Sequence, residues 1–170
     1  AAVYVFADGK LSVGKLNVSG KCIVNNGTLT VDGSLDMNSG LTVYNTATGV
    51  LTVTDEMKVS NSARIYNDGA VTVDDLKINS DGEFHNCENA LLVVNDECEL
   101  ERSTAIYQRG RASIEEMTAR GTIWVNCHTS VNELEAQGAE FNFSANAGLD
   151  AGRVEFNNTN VSMARGAIFT

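Results

Sequence analysis

The side chains best suited to catalysis or metal binding in this chain are two histidines and four cysteines. His85 and His128 each lack a serine or cysteine nucleophile and an orienting acid at a spacing typical of catalytic triads. The cysteines form no CxxC pair, and no Cys/His spacing typical of a metal site occurs. The sequence therefore predicts no catalytic residue and no zinc site.

Acidic pairs recur just after the same apolar segment in successive stretches of the chain. If these stretches of the chain stack on one another, the carboxylates form a column and repel one another unless something compensates. Ca²⁺ prefers oxygen ligands, so calcium binding stays open. The sequence favours the other interpretation, a solvated corner, and we predict no cofactor. The pairs are Asp55-Glu56, Asp74-Asp75, Asp96-Glu97 and Glu115-Glu116.

Two arginines could complete an active site of the polysaccharide-lyase type, in which an arginine or lysine base works beside calcium-binding carboxylates. Arg109 and Arg111 follow Asp96-Glu97 in the chain, so these groups could lie near one another if successive stretches of the chain stack as coils. Any acidic protein of stacked coils allows a similar cluster to be drawn. We therefore predict that the protein is not an enzyme.

An amide side chain recurs after an apolar pair at intervals of 20, 22, 19, 22 and 18 residues. Such a period indicates stacked coils that share one core, and amides at one point of each coil can form a hydrogen-bonded ladder. We expect this column to be buried at a corner of the coil. Its members are Asn25, Asn45, Asn67, Asn86, Gln108 and Asn126.

Aromatic rings precede the amide in four successive repeats. The structural interpretation is a ladder of rings that covers a strand and stiffens the stack. The functional interpretation is a flat aromatic strip that binds glycans or another surface. The sequence favours the structural one, and the residues are Tyr44, Tyr66, His85 and Tyr107.

Two further columns define the strands that must carry these side chains. Segments such as Leu29-Thr30-Val31 begin two residues after a glycine, and segments such as Met57-Lys58-Val59 follow. This alternation predicts three short strands per coil, with glycine supplying the conformations of sharp corners. The chain contains no proline, which suits strands that need a backbone donor at almost every position.

The fold class that follows is all-β, a single-stranded parallel β-helix or β-solenoid with about 8–9 coils of roughly 20 residues. The aromatic residues near the C-terminus, if they share one column, lie at spacings of 17, 15 and 13 residues, so we expect the coils to shorten there. These residues are Trp124, Phe141, Phe156 and Phe169.

Residues 1–8 do not fit the repeat, whereas residues 9–170 form the predicted solenoid. The early segment is apolar and β-prone, and it comprises Val3, Tyr4, Val5 and Phe6. Two roles are open for it: it caps the first coil, or it pairs with a partner strand. In the second case copies of the chain, or homologous subunits, would assemble head to tail into a filament.

Among the four cysteines, a buried free thiol is expected at Cys98. Cys98 replaces leucine or methionine in a core column, and Cys87 and Cys127 lie two coils apart, too far for a disulfide. A bridge between Cys87 and Cys98 stays open, as does an intermolecular bridge through Cys22.

The chain is acidic, with a net charge of −10 and an isoelectric point near 4.5. No basic stripe is available to neutralise phosphates, so nucleic acid is not an expected partner. No apolar run is long enough to cross a membrane, so we expect no membrane insertion.

Together, the Gly-x-Leu-x-Val units, the amide column and the period resemble the right-handed parallel β-helix of bacterial surface proteins. The nearest resemblance is to passenger regions of self-associating autotransporter adhesins, and it covers roughly residues 9–170. It implies an exported, non-catalytic protein of the cell surface or extracellular space that functions in adhesion or self-assembly. Polysaccharide-binding and lyase-type proteins share the coil, so either is the alternative.

Overall fold

Strands account for all the regular structure in the part of the chain that the computed structural model describes, residues 2–19 and 21–170. No helix long and apolar enough to span a membrane occurs among these residues. The strands are β1 (Ala2–Val5), β2 (Lys10–Val13), β3 (Leu16–Ser19), β4 (Cys22–Asn25), β5 (Thr28–Val31), β6 (Leu35–Asn38), β7 (Thr42–Asn45), β8 (Val50–Val59), β9 (Arg64–Asn67), β10 (Ala70–Ile78), β11 (Glu83–Asn86), β12 (Leu91–Leu100), β13 (Ala105–Gln108), β14 (Arg111–Ala119), β15 (Thr122–Val125), β16 (His128–Gln137), β17 (Glu140–Phe143), β18 (Gly148–Asn157), β19 (Asn160–Met163) and β20 (Ile168–Phe169).

The strands stack into two parallel sheets, which confirms the predicted β-solenoid, with about 8 turns. One sheet has nine strands, in the order β1-β4-β7-β9-β11-β13-β15-β17-β19. The other has eleven, along β2-β5-β8-β10-β12-β14-β16-β18-β20, with β3 beside β6 and β6 beside β8. Consecutive neighbours in each sheet belong to successive coils, so each coil contributes one rung to each sheet.

The prediction of three strands per coil holds only for the first coils, where β2 and β3, and then β5 and β6, are separate. From β8 to β18 the two strands merge into one of nine or ten residues in each coil of this sheet. The pairing register shifts within these long strands, for example between Val73 and Asp75 of β10. A shift of this kind bends a strand without ending it, so the acidic pairs mark bends.

Strict alternation of buried and exposed positions forms the core. In β9 and β11 every second residue is buried, as the period-two pattern requires. Leu51, Leu76 and Phe84 have no exposed surface, and the interior is continuous from coil to coil. Burial of this apolar column is the main force that holds the coils together.

The coils do not shorten progressively. Ile106 is aligned with Ile123, Ile123 with Phe141 and Phe141 with Val161, so coils of 17 and 18 residues are followed by one of 20. The supposed aromatic column is wrong: Trp124 is aligned with Asn142 on the outer face. A shift of one residue exchanges the inner and outer faces of a strand, and the expectation placed Trp124 one position out.

The phenylalanines at this end come from both sheets. Phe156 is aligned with Ala136 and Phe169 with Leu149, both in the second sheet. The ring centroids of Phe141 and Phe156 are 5.8 Å apart, and those of Phe156 and Phe169 are 5.7 Å apart. The rings therefore fill the interior between the sheets rather than form one column.

The N-terminal segment is the first rung of the solenoid, which corrects the boundary expected after residue 8. β1 pairs in parallel with β4, so that Val3 is aligned with Ile23 and Val5 with Asn25. Phe6 follows the strand and is exposed. The sequence pattern does not reveal this first rung, because Val5 occupies the position at which later coils have an amide.

The column of glycines is required by close packing of the coils rather than by an unusual backbone conformation. A Cβ atom on Gly27 would lie 2.3 Å from the carbonyl oxygen of Gly9, and one on Gly69 would lie 2.3 Å from that of Gly49. Neither glycine has a positive φ, unlike Gly40. The expected role of these glycines is therefore corrected: they let one corner lie directly on the next.

Candidate functional site

The amide column forms a buried ladder at the corner between the two sheets. Asn25 Nδ2 donates to Asn45 Oδ1, Asn45 Nδ2 to Asn67 Oδ1, and Asn67 Nδ2 to Asn86 Oδ1, each at 2.8 Å. These four side chains are completely buried. Each amide nitrogen also donates to a backbone carbonyl of the following coil, as Asn67 does to Leu91 at 2.9 Å. The ladder therefore ties each corner to the next.

Gln108 interrupts this ladder although it lies in the same column. Its Nε2 donates to the carbonyl of Gly110 at 2.8 Å, and Asn86 Nδ2 donates to the carbonyl of Arg111 at 2.9 Å. Gln108 Oε1 is buried and has no hydrogen-bond partner among the described residues. The extra methylene of glutamine moves its amide out of line with the asparagines, so the chain of amide–amide bonds ends at Asn86.

Asn126 does not belong to the column, and its prediction is wrong. Gln108 is aligned with Val125, and Asn126 follows β15 as an exposed residue. The ladder is thus bounded by Val5 before Asn25 and by Val125 after Gln108. An apolar residue fills the corner at both limits.

The predicted aromatic strip is a continuous stack on the outer face of the nine-stranded sheet. Its ring centroids are separated by 5.5 Å between Tyr44 and Tyr66, by 4.6 Å between Tyr66 and His85, and by 4.4 Å between His85 and Tyr107. The planes of adjacent rings are inclined to each other by no more than 22°. Each ring thus covers the face of its neighbour, as in the favoured structural interpretation, and the strip exposes mainly ring edges to solvent.

Trp124 is the fifth ring of the strip and was not predicted to belong to it. Its plane lies 4° from that of Tyr107, at a centroid distance of 6.5 Å. The next position in the column is Asn142, so no ring stacks on the far side of the indole among the described residues. The predicted alignment matched Asn126 with Gln108. Matching Val125 with Gln108 instead would have placed Trp124 beside Tyr107 in the strip.

An ion pair lies beside the strip. Arg64 Nε is 3.0 Å from Glu83 Oε2, and His85 Nε2 is 2.9 Å from the same oxygen. The hydrogen bond from Arg64 lowers the pKa of the Glu83 carboxyl, burial opposes this, and His85 adds to the lowering. The same bond raises the pKa of Arg64. These groups hold the edge of the imidazole while its faces are stacked.

Three shallow grooves meet at Trp124, which is 41% exposed. One, of about 470 Å³, contains Arg64 and Glu83 and runs past Tyr107 to Trp124. A second, of about 300 Å³, lies beyond the indole, and a third, of about 210 Å³, contains Arg109. Trp124 is therefore exposed and bordered by all three grooves, whereas Tyr44, which is 45% exposed, lines none of these three.

The acidic column is interleaved with neutral partners. Ser34 Oγ donates to Asp55, Asn95 Nδ2 to Asp74 and Asn132 Nδ2 to Glu115, each at 2.8 Å. Within the described residues, no group of three or more His, Cys, Asp or Glu side chains is placed to hold a metal ion. Hydrogen bonds between coils thus connect these carboxylates to neutral groups of the neighbouring coils.

The arginine cluster drawn from the sequence is not assembled. Arg111 is aligned with Leu91 at the start of β12, whereas Glu97 is aligned with Glu116 beyond the bend. Five residues of strand separate Leu91 from Asp96, on the order of 15 Å. Arg109 lies instead beside Tyr107 and Trp124. Stacking therefore separates Arg111 from the acidic pair, which lies farther along the same sheet, and it places Arg109 beside the other sheet.

The remaining histidine and the cysteines lie apart from the strip or within the core. His128 Nε2 is 3.3 Å from Asp150 Oδ2, and both side chains are largely exposed. All four cysteines, which lie within the described residues, are free. Cys98 is fully buried, and burial raises the pKa of its thiol; burial likewise raises the pKa of Cys87 to about 11.

The fold and the corner together define the class, a parallel β-solenoid with a buried amide ladder and an outer aromatic stack. Comparison with protein families, with curated proteins and with solved structures found no match.

Proposed function

We propose that the protein is a non-catalytic structural and adhesive β-solenoid that associates with copies of itself, or with homologous subunits, to build a fibre. The observation that carries this proposal is the apolar interior left exposed at the coil that contains β19. Its location at the cell surface or outside the cell rests on the resemblance to bacterial surface proteins.

The interior is open to water at that coil. Val161 and Met163 are aligned with the buried Phe141 and Phe143, yet they are 38% and 47% exposed. Phe156 is aligned with the buried Ala136 and is 42% exposed. Preceding coils bury the equivalent positions against their neighbours, so another coil stacked here would remove these side chains from water.

The opposite end presents the complementary edge. β1 is the terminal strand of its sheet among the described strands and has β4 as its one strand neighbour there. Leu11, Val13 and Leu16 of the same coil pack against the core only in part. Opposite edges of a parallel sheet are complementary, so β19 of one copy can pair with β1 of the next by strand addition. Repeating such a head-to-tail contact without closure gives a filament.

The non-catalytic part of the proposal is supported by what the reactive side chains do. The faces of His85 are stacked between two rings and its Nε2 contacts Glu83. Cys98 lies in the core, and the acidic column is bonded to serine and asparagine. These groups stabilise the stack, and the proposal includes no cofactor, no calcium and no nucleic acid.

Sedimentation velocity of the chain at rising concentration tests the proposal, with substitutions in β19. Met163→Glu places a charge on the exposed interior and should abolish association, because burial of an unpaired carboxylate is costly. Ser162→Glu adds the same charge to the outer face of the same strand and should leave association intact. Circular dichroism of both variants checks that the coils stay folded.

A chain that remains strictly monomeric at high concentration would overturn the proposal. So would equal association of the wild type and the folded Met163→Glu variant, because the contact would then not involve the exposed interior.

A further inference from the structure

We propose that the surface around Trp124 is a saccharide-binding site that takes a neutral hexopyranose chain. The site lies on the outer face of the nine-stranded sheet and reaches the last strand of that sheet, β19, through Ser162. The argument for it uses the lining of the grooves and not self-association.

The indole is partly exposed, and on its far side no aromatic ring is stacked among the described residues. One side of Trp124 lies toward Tyr107, with nearly parallel rings, and the other side borders the groove of about 300 Å³. Asn142, the next residue of the column, donates to Glu140 at 3.1 Å. One face of a pyranose ring carries mainly C–H groups, and these pack on an aromatic face whose electron-rich surface attracts their hydrogens.

Short polar side chains line the grooves on both sides of the indole. Ser144, Ser162 and Asn142 line the groove beyond the indole. Ser103 and Thr122 line the larger groove on the other side. Hydroxyls and amides both donate and accept hydrogen bonds, which matches the hydroxyls at the rim of a pyranose. Shallow, open grooves on either side of one ring suit a chain of sugars better than a compact ligand.

Charge selects a neutral glycan. The carboxylates of Asp81, Glu83 and Glu140 line the larger groove against the single guanidinium of Arg64. The whole chain carries a net charge of −10, so its field repels uronic acids and sulfated sugars. A basic peptide would also satisfy the charge and could place a cation on the indole, so a basic peptide is the competing ligand in the test below.

Fluorescence offers a direct test because Trp124 is the only tryptophan in the chain. The probes are cellohexaose, mannohexaose and chitohexaose, with hexagalacturonate as the anionic contrast and oligolysine as the competing kind of ligand. A saturable change in Trp124 emission is expected with at least one neutral oligosaccharide and not with hexagalacturonate.

Calorimetry of two variants locates the site. Trp124→Ala should weaken binding by about tenfold or more, as expected for the central aromatic residue of a contact surface. Tyr44→Ala is the matched control, because Tyr44 is an exposed ring at the other end of the strip, outside the three grooves. Its affinity should be unchanged.

Absence of saturable binding to all three neutral oligosaccharides would overturn the inference. Binding that survives Trp124→Ala in the folded protein would do the same, and so would a response to oligolysine alone, which would assign the surface to a peptide.

Discussion

At the scale of single residues, a side chain in this solenoid acts through the side chains one coil before and after it. Asn67 accepts a hydrogen bond from Asn45 and donates to Asn86 and to the carbonyl of Leu91. Removing one amide therefore leaves polar groups unpaired in two neighbouring coils. An unpaired buried polar group costs more than a typical hydrogen bond contributes.

Asn67→Leu is expected to lower the free energy of unfolding by about 1–3 kcal/mol, because Asn86 Oδ1 and the Leu91 carbonyl lose a buried donor. Thermal and urea unfolding measure this. Asn126→Leu is the matched control at an exposed position outside the ladder, and its effect should stay within about 0.5 kcal/mol. Equal effects of the two substitutions would contradict the assignment of the column.

Gln108→Asn is expected to stabilise the protein by about 1 kcal/mol, even though it removes a buried methylene. The shorter amide can lie in line with Asn86 and accept its hydrogen bond, which gives the orphaned side-chain oxygen a partner. Urea unfolding of the variant and of the wild type measures the difference in the free energy of unfolding. An unchanged or lower free energy of unfolding would show that the longer side chain is already well accommodated.

Glu83→Gln should alter how stability depends on pH. The pKa of Glu83 is lowered in the folded protein from its ordinary value near 4.5. Its carboxylate therefore stabilises the fold above that value, and the contribution disappears as pH falls through the lowered pKa. The pair with Arg64 is partly exposed, so the loss at pH 7 should be below about 1 kcal/mol.

Melting temperatures of the wild type and Glu83→Gln should accordingly differ at neutral pH and converge in acid. Glu88→Gln, at an exposed glutamate in the following corner, serves as the control. A difference that is constant across pH would show that the substitution acts by packing instead of charge.

At the scale of elements, the corners determine how closely the strands can stack. A Cβ atom on Gly69 would lie 2.3 Å from the carbonyl oxygen of Gly49 and 2.4 Å from that of Thr46. Both are backbone atoms, so they cannot move aside as a flexible side chain would. Ala90 occupies the same column, but it follows Asn89, whose φ of 66° is positive, so the backbone takes a different path at that corner.

Gly69→Ala is expected to lower the free energy of unfolding by about 1–3 kcal/mol, because the two coils must separate at that corner. Gly14→Ala is the matched control, since a methyl group at Gly14 would have no atom within 4 Å and the φ of this glycine is not positive. Chemical unfolding of both variants measures the contrast. A Gly69→Ala protein as stable as Gly14→Ala would contradict the role of close packing.

Elements of this fold could be located from the sequence wherever one repeat resembled the next. Amides and rings recur at Tyr44-Asn45 and Tyr66-Asn67, so their columns were predictable. The alignment failed at Trp124, Val125 and Asn126. This segment can be shifted by one residue and still place an asparagine in the amide column. Side-chain identity misled there, and only strand pairing settles which face each residue occupies.

At the scale of the whole molecule, the period was sufficient to predict a parallel β-solenoid because each coil buries its apolar face only against a neighbour. The merging of two strands into one was not predictable, since a shift of register leaves the alternation on either side intact. The grooves at Trp124 were also not predictable, because their walls come from coils far apart in the chain.

Electron microscopy of the concentrated protein tests the central claim, end-to-end stacking, most directly. The nine strands of one sheet, stacked about 4.8 Å apart, give an axial repeat of roughly 43 Å per copy. The account predicts unbranched filaments one solenoid wide with that repeat, and their loss in Met163→Glu. Isolated particles at every concentration, or fibres built by side-to-side contact with the end coils exposed, would contradict it.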